Sequence, residues 1–147
     1  MLPAENILIS VEHDYVLKML GGLKTAELRR RPLRVQPGTR VWIYSKLPRG
    51  QVEVVATVDD VVAASPRKIW ELYHGRIAIT STEFRAYLQG VNVACAVLLR
   101  DITALQPALR LDTLRQTSRN FQPPQFFKRL IAHGPELKQL SSSYAPS

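Results

Sequence analysis

The sequence predicts an α+β fold, a small mixed β-barrel with peripheral short helices. Three observations predict it. Runs rich in β-branched residues recur at short spacing, at residues 7–11, 40–45, 51–64 and 91–99. Short helical segments fall between them as connectors, without the regular strand–helix–strand alternation of a doubly wound sheet. A chain of 147 residues, 46% of them hydrophobic, fits one domain around one ordinary core.

Each element follows from local pattern. Ile7–Val11 reads as a buried strand, and His13–Leu20 carries Tyr15, Val16, Met19 and Leu20 at helical spacing. Gly21-Gly22 stops that helix. Residues 24–29 favour a strand in which Ala26 and Leu28 face one way and Thr25, Glu27 and Arg29 the other. Lys24 joins Glu27 only if the double glycine turns the chain, which places Lys24 at the helix-to-strand junction. Arg40–Ser45 is the next strand, with Trp42 and Tyr44 alternating with Val41 and Ile43. Gln51–Ala64 is one long strand or a bent pair, with a bulge expected at Asp59-Asp60.

Ser65-Pro66 has the form of an N-cap followed by a first-turn proline, and the helix is expected to stop near His74-Gly75. Thr80 or Ser81 caps a second helix over 82–88, closed by Gly90. Residues 91–99 form the central strand, continuing to Ala104 and ended by Pro107. Residues 111–115 are a short helix candidate. Residues 1–140 read as a single domain and 141–147 as a flexible tail.

Cys95 lies inside the apolar run Val91–Leu99 and is expected in the core; a lone cysteine excludes an internal disulfide. His13, His74 and His133 have no ligand-like spacing, so no metal site is expected from them. No stretch approaches the length of a membrane span, and the N-terminus lacks the basic and apolar regions of a secretory signal. A cytoplasmic protein with no membrane partner is the expectation.

The formal net charge of +8 is concentrated. Eight Lys and Arg residues against Glu27 alone give residues 24–50 a charge of +7, whereas residues 1–23 carry −2. Such a surplus suits a polyanion, with a solvated arginine-rich loop as the alternative. Its focus is Gly22-Leu23-Lys24-Thr25-Ala26-Glu27-Leu28-Arg29, followed by Arg30 and Arg31.

The pattern Gly22-x-Lys24-x-x-Glu27-x-Arg29 resembles the signature of the ASCH domain family, within the PUA-like superfamily of RNA-binding β-barrels. The resemblance runs in order over residues 7–131. Ile9-Ser10-Val11 and the helix with Tyr15 come first. Pro37-Gly38-x-Arg40-Val41-x-Ile43-Tyr44, Ser65-Pro66 with Ile69-Trp70-Glu71-x-Tyr73, and Ser81-x-Glu83-Phe84-x-x-Tyr87-x-x-Gly90 follow. Pro123-Pro124-Gln125-x-Phe127 closes the series. The resemblance implies a cleft beside the first helix, lined by Lys24, Glu27 and Arg29, and RNA binding connected with transcription or translation control. Some relatives resemble a metal-assisted ribonuclease or an amidohydrolase acting on N4-acetylcytidine. The amidohydrolases carry Thr where this chain has Glu27.

The leading expectation is a module that binds RNA, another single-stranded nucleic acid or a nucleotide; the alternative is a hydrolase in the same cleft. Lys24 suits a phosphate contact, or a nucleophile or base if desolvated. Glu27 suits a general base, or an ion-pair partner for Lys24 and Arg29. Arg29 suits bidentate phosphate binding, with Arg30 and Arg31 as an attracting rim. Tyr44 with Lys46 can stack a base and hold its phosphate, and Tyr44 is equally suited to the core. The Ser10 hydroxyl can reach the cleft, and the Gln125 amide can read a base edge. No cofactor is expected, except a divalent metal if the chain is a ribonuclease.

Overall fold

In the computed structural model, residues 5–144 are described. One six-stranded sheet curls into a half-barrel, with strand order β2-β5-β4-β3-β1-β6. The strands are β1 (Asn6–Val11), β2 (Ala26–Arg29), β3 (Arg40–Ser45), β4 (Gln51–Ala64), β5 (Ala94–Arg110) and β6 (Lys128–Arg129). Only β1 and β3 run parallel; the other pairs are antiparallel. The helices α1 (His13–Leu20), α2 (Pro66–Ile77), α3 (Ser81–Tyr87), α4 (Leu111–Thr117) and α5 (Pro135–Ser142) sit around it. Among the described residues, no helix is long and apolar enough to cross a membrane.

Strand alternation sorts the side chains into two layers. Ile7, Ile9, Val41, Ile43, Val54, Val97 and Leu99 point to the concave side, where Val16 and Met19 of α1 cover them. Leu8, Trp42, Tyr44, Val52 and Val55 point outward and are covered by Leu114 of α4 and Leu140 of α5. A third group, around Ala26, Leu28, Ala96 and Leu98, is covered by Ile69 and Ile77 of α2 and Phe84 of α3. Cys95 is fully buried in the concave core, and burial pushes its thiol pKa up.

Several expected boundaries move. α2 does not stop at His74-Gly75; it continues to Ile77 and ends where Ala78 adopts a left-handed conformation (φ 59°). Interior glycine weakens a helix without ending it. β5 passes through Pro107 to Arg110, because residues 105–108 bulge out of register with β4 and Pro107 sits in that bulge. At its start, β5 begins at Ala94 rather than Val91. β4 is one strand, with a register shift between Val58 and Asp60 where a bulge was expected.

The expected tail is helical as far as Ser142. Ser143 is buried, and the Tyr144 ring meets Trp42 edge-on at 6.0 Å. The remainder of the expected tail, 145–147, lies outside the described residues.

Candidate functional site

The site begins with the end of α1. Gly22 takes φ +79°, the Gly22 amide donates to Met19 O (3.1 Å) and the Leu23 amide to Lys18 O (2.9 Å). These paired bonds form a Schellman motif, in which glycine supplies the left-handed residue. The chain therefore reverses and delivers Lys24 one turn-length ahead of β2, as the double glycine predicts.

Lys24 is 1% exposed. Its Nζ donates to Ile77 O (2.8 Å), lies 3.6 Å from Glu27 Oε1, and sits 5.1 Å from the centre of the Tyr15 ring. Lys18 Nζ caps the neighbouring Ala78 O at 2.7 Å. Both ammonium groups thus meet unpaired carbonyls at the C-terminal end of α2, where positive charge is favoured. Burial lowers the Lys24 pKa from the usual lysine value, against the opposing pull of Glu27.

Glu27 and Arg29 occupy the concave face of β2, opposite Val97 and Cys95 of β5. Ala26 and Leu28 face the helices, as alternation requires. Arg29 Nη2 lies 3.1 Å from Glu27 Oε2 and donates to Ser10 O (3.0 Å), while Nη1 donates to Phe126 O (3.3 Å). Arg29 Nε is buried and has no partner among the described residues. Lys24, Glu27 and Arg29 therefore form one buried chain of alternating charge.

This chain floors a cleft of about 290 Å³. Ser10, Glu12, Tyr15, Lys46 and Tyr87 contribute to its walls. Ser10 Oγ donates to Pro124 O (2.7 Å), which ties the Pro-Pro-Gln loop to the end of β1. Lys46 pairs with Glu12 at 3.4 Å on the open side.

Five of the candidate residues meet here: Ser10, Lys24, Glu27, Arg29 and Lys46. Tyr44 does not. It is 2% exposed in the outward layer with Trp42, so its ring is absent from the cleft. Both faces of β3 are buried, so alternation separates Tyr44 from Ile43 without saying which of them faces the cleft. Gln125, Arg30 and Arg31 line an adjoining, more open depression instead. Arg30 donates to Tyr87 O (3.0 Å), and the Arg31 guanidinium lies 4.5 Å from the Phe126 ring centre. Arg34 lines neither.

The two wall tyrosines were not among the expected site residues. Tyr15 was assigned by helical spacing to the face that buries Val16 and Met19; its ring instead lies at the edge of that face, with its hydroxyl donating to Glu83 Oε2 (3.4 Å). Its place immediately after the strand carrying Ser10 was the available signal. Burial, followed by the nearby Glu83 charge, raises its pKa.

Glu53, the other buried carboxylate among the described residues, is engaged elsewhere. Burial works to raise its pKa, but hydrogen bonds from Arg49, Gln51 and Ser45 bring it below the usual value. Among the described residues, no three His, Cys, Asp or Glu side chains gather in a metal-holding group. The Glu27 carboxylate on the cleft floor is paired with two cations, Lys24 and Arg29.

Comparison with known proteins agrees with this geometry. A family model described as a domain of unknown function, DUF365, matches residues 6–128. The "ASCH domain-containing ribonuclease" of Zymomonas mobilis is 32% identical over 121 residues, covering 82% of this chain and 81% of that protein. The crystal structure of ASCH from Zymomonas mobilis has a TM-score of 0.85 at 31% identity, over 94% of both chains. Human THYN1, solved with 5-methylcytosine containing DNA, shares the fold at a TM-score of 0.56 and 10% identity, over 98% of this chain and all of that one. With the motif of Lys24, Glu27 and Arg29 built into the same half-barrel, this chain belongs to the ASCH domain family, of which DUF365 is one type.

Proposed function

We propose that the cleft seats one nucleotide of a single-stranded RNA, and that the chain is a ribonuclease acting there. The observation that carries this reading is the buried Lys24–Glu27–Arg29 chain on the floor of a nucleotide-sized cleft. The arginines beside it supply sequence-independent attraction, and the enclosed floor supplies the contacts that orient one phosphodiester. The relationship to a protein named as a ribonuclease supports the same substrate class.

The chemistry available to these side chains is transesterification. The Glu27 carboxylate accepts the proton of the ribose 2′-hydroxyl as the 2′-oxygen bonds to phosphorus. Arg29 offsets the charge that develops on the phosphoryl oxygens. The bond to the 5′-oxygen breaks, and the Lys24 ammonium donates the proton that leaving oxygen takes up. The products are a 2′,3′-cyclic phosphate and a 5′-hydroxyl.

The test is incubation with end-labelled single-stranded RNA, with and without EDTA, for the native chain, Lys24→Met and Arg34→Ala. Cleavage that survives EDTA, is lost in Lys24→Met and is kept in Arg34→Ala is expected. If Lys46, Arg30 and Arg31 each neutralise one phosphate, binding falls with salt at a log–log slope of about −2. Binding indifferent to salt, or equal cleavage by Lys24→Met, refutes the reading.

A second reading rests on the burial of Lys24 on the cleft floor, which lowers its pKa. A neutral Lys24 can serve as base or nucleophile for amide hydrolysis on a modified nucleoside. Release of acetate from N4-acetylcytidine, with RNA left intact, decides for it.

A further inference from the structure

The cleft shares a wall with the depression lined by Arg30, Arg31, Gln125 and Phe126: Arg29 and Tyr87 belong to both. We propose that this depression is a second nucleotide subsite, and that Arg29 holds the phosphate joining the nucleotide in the cleft to the one beside it. The ligand recognised is thus a dinucleotide unit of single-stranded RNA. The inference rests on the reading of the cleft as an RNA site and adds a second contact surface to it.

Arg29 carries the argument. It is 7% exposed, and its Nη atoms are fixed by Glu27, Ser10 O and Phe126 O. Its Nε is buried with no acceptor among the described residues, although the side chain borders two depressions. A buried guanidinium N–H without a partner is costly, and a phosphate oxygen at the ridge supplies the missing acceptor.

The second depression has the chemistry of a single-strand subsite. Arg31 lies over the Phe126 ring, so a cation and an aromatic face are presented together. Gln125 is exposed beside them with its amide free of protein hydrogen bonds among the described residues. An exposed primary amide offers both donor and acceptor to a base edge. Arg30 is held against Tyr87 O and Gln89 O, so its charge stays on the rim.

The test compares 2′-O-methyl ribonucleotides, which lack the attacking hydroxyl and stay intact. The probes are the four 3′-mononucleotides, the four homodinucleotides, and the dinucleotides with a neutral methylphosphonate linkage. Ligand changes replace an Arg29 variant, because a substitution at that buried residue can cost the fold. Arg31→Ala and Gln125→Ala are exposed and serve as the protein variants.

The tightest dinucleotide is expected to bind at least about fivefold more strongly than its mononucleotide. The methylphosphonate linkage removes that gain. Arg31→Ala and Gln125→Ala also reduce it, and Gln125→Ala leaves mononucleotide affinity unchanged. Equal binding of mono- and dinucleotides overturns the second subsite and leaves the cleft reading intact. A dinucleotide gain indifferent to both variants places the second nucleotide elsewhere and overturns it too. No binding by any probe overturns both readings.

Discussion

Replacing Glu27 with Gln removes the anion from the middle of a buried charge chain. The change keeps the side-chain volume, so the effect is electrostatic. Arg29 retains two backbone carbonyls as acceptors, Ser10 O at 3.0 Å and Phe126 O at 3.3 Å. Lys24, at 1% exposure, retains Ile77 O and the Tyr15 ring. Breaking a buried pair by removing one partner costs roughly 3–5 kcal/mol. For a chain of this size that is a fall in Tm of roughly 6–20 °C.

The pH dependence gives a sharper signature. Burial already lowers the Lys24 pKa, and Glu27 is what opposes that lowering. Without Glu27 the folded-state value drops further, while the unfolded value stays that of an ordinary lysine. Between the two values the unfolded chain binds more protons, so the Lys24 contribution to stability rises with pH. The gap between native chain and Glu27→Gln therefore narrows as pH increases from neutrality towards the lysine range. Urea denaturation of both proteins from pH 6 to pH 10 measures it. A gap below about 1 kcal/mol that stays flat across that range is the signature of a solvated surface pair, and refutes the buried chain.

Other substitutions probe the frame around the site. Gly22→Ala meets no atom within 4 Å, but it must hold φ +79°, so a loss of about 1–2 kcal/mol in urea denaturation is expected, together with weaker RNA binding. An unchanged RNA affinity would show that the turn does not position Lys24. Tyr44→Phe removes a buried hydroxyl that has no partner among the described residues, so thermal melting is expected to match or exceed the native chain, with RNA binding unchanged. A drop in RNA affinity would restore Tyr44 to the site. The Glu53 pKa is below the usual value when folded, so its contribution to stability is present above the usual carboxylate range and is lost as pH falls through the folded value. Acid titration is expected to bring the native chain and Glu53→Gln together at low pH; parallel curves would contradict this.

The parts of the site legible in the sequence are those governed by local rules. Period-two alternation placed Glu27 and Arg29 together, and glycine chemistry at Gly21-Gly22 brought Lys24 to them. The parts that were not legible depend on which layer covers which face. Tyr44 and Ile43 are equivalent by pattern, and only α4 and α5 packing on the outer layer separates them. Pro107 reads as a strand end unless the bulge over residues 105–108 is known, and that bulge is a property of the pairing with β4. Ser141–Tyr144 lacks apolar periodicity but is held by Leu140 in the outer core and by Trp42 against Tyr144. Arg30 and Arg31 read as a rim of the cleft, yet they line the second depression instead.

β2 spends two concave positions on Glu27 and Arg29 where its neighbours in β5 place Val97 and Cys95. Replacing a complete buried ion network with apolar residues of similar volume is often neutral or stabilising by about 1–4 kcal/mol. Here Lys24→Met, Glu27→Leu and Arg29→Met together also remove donors from Ile77 O, Ser10 O and Phe126 O, at about 1 kcal/mol each. The two effects offset, so the triple variant is expected to melt within a few degrees of the native chain. Glu27→Gln alone, which leaves two cations without their anion, is expected to be the less stable protein. RNA binding should be lost in the triple variant. A triple variant far less stable than Glu27→Gln would mean that the charges serve the fold, and the cleft would lose its main functional argument. A stable triple variant that no longer binds RNA would show that the cost of burying three charges is sustained for function.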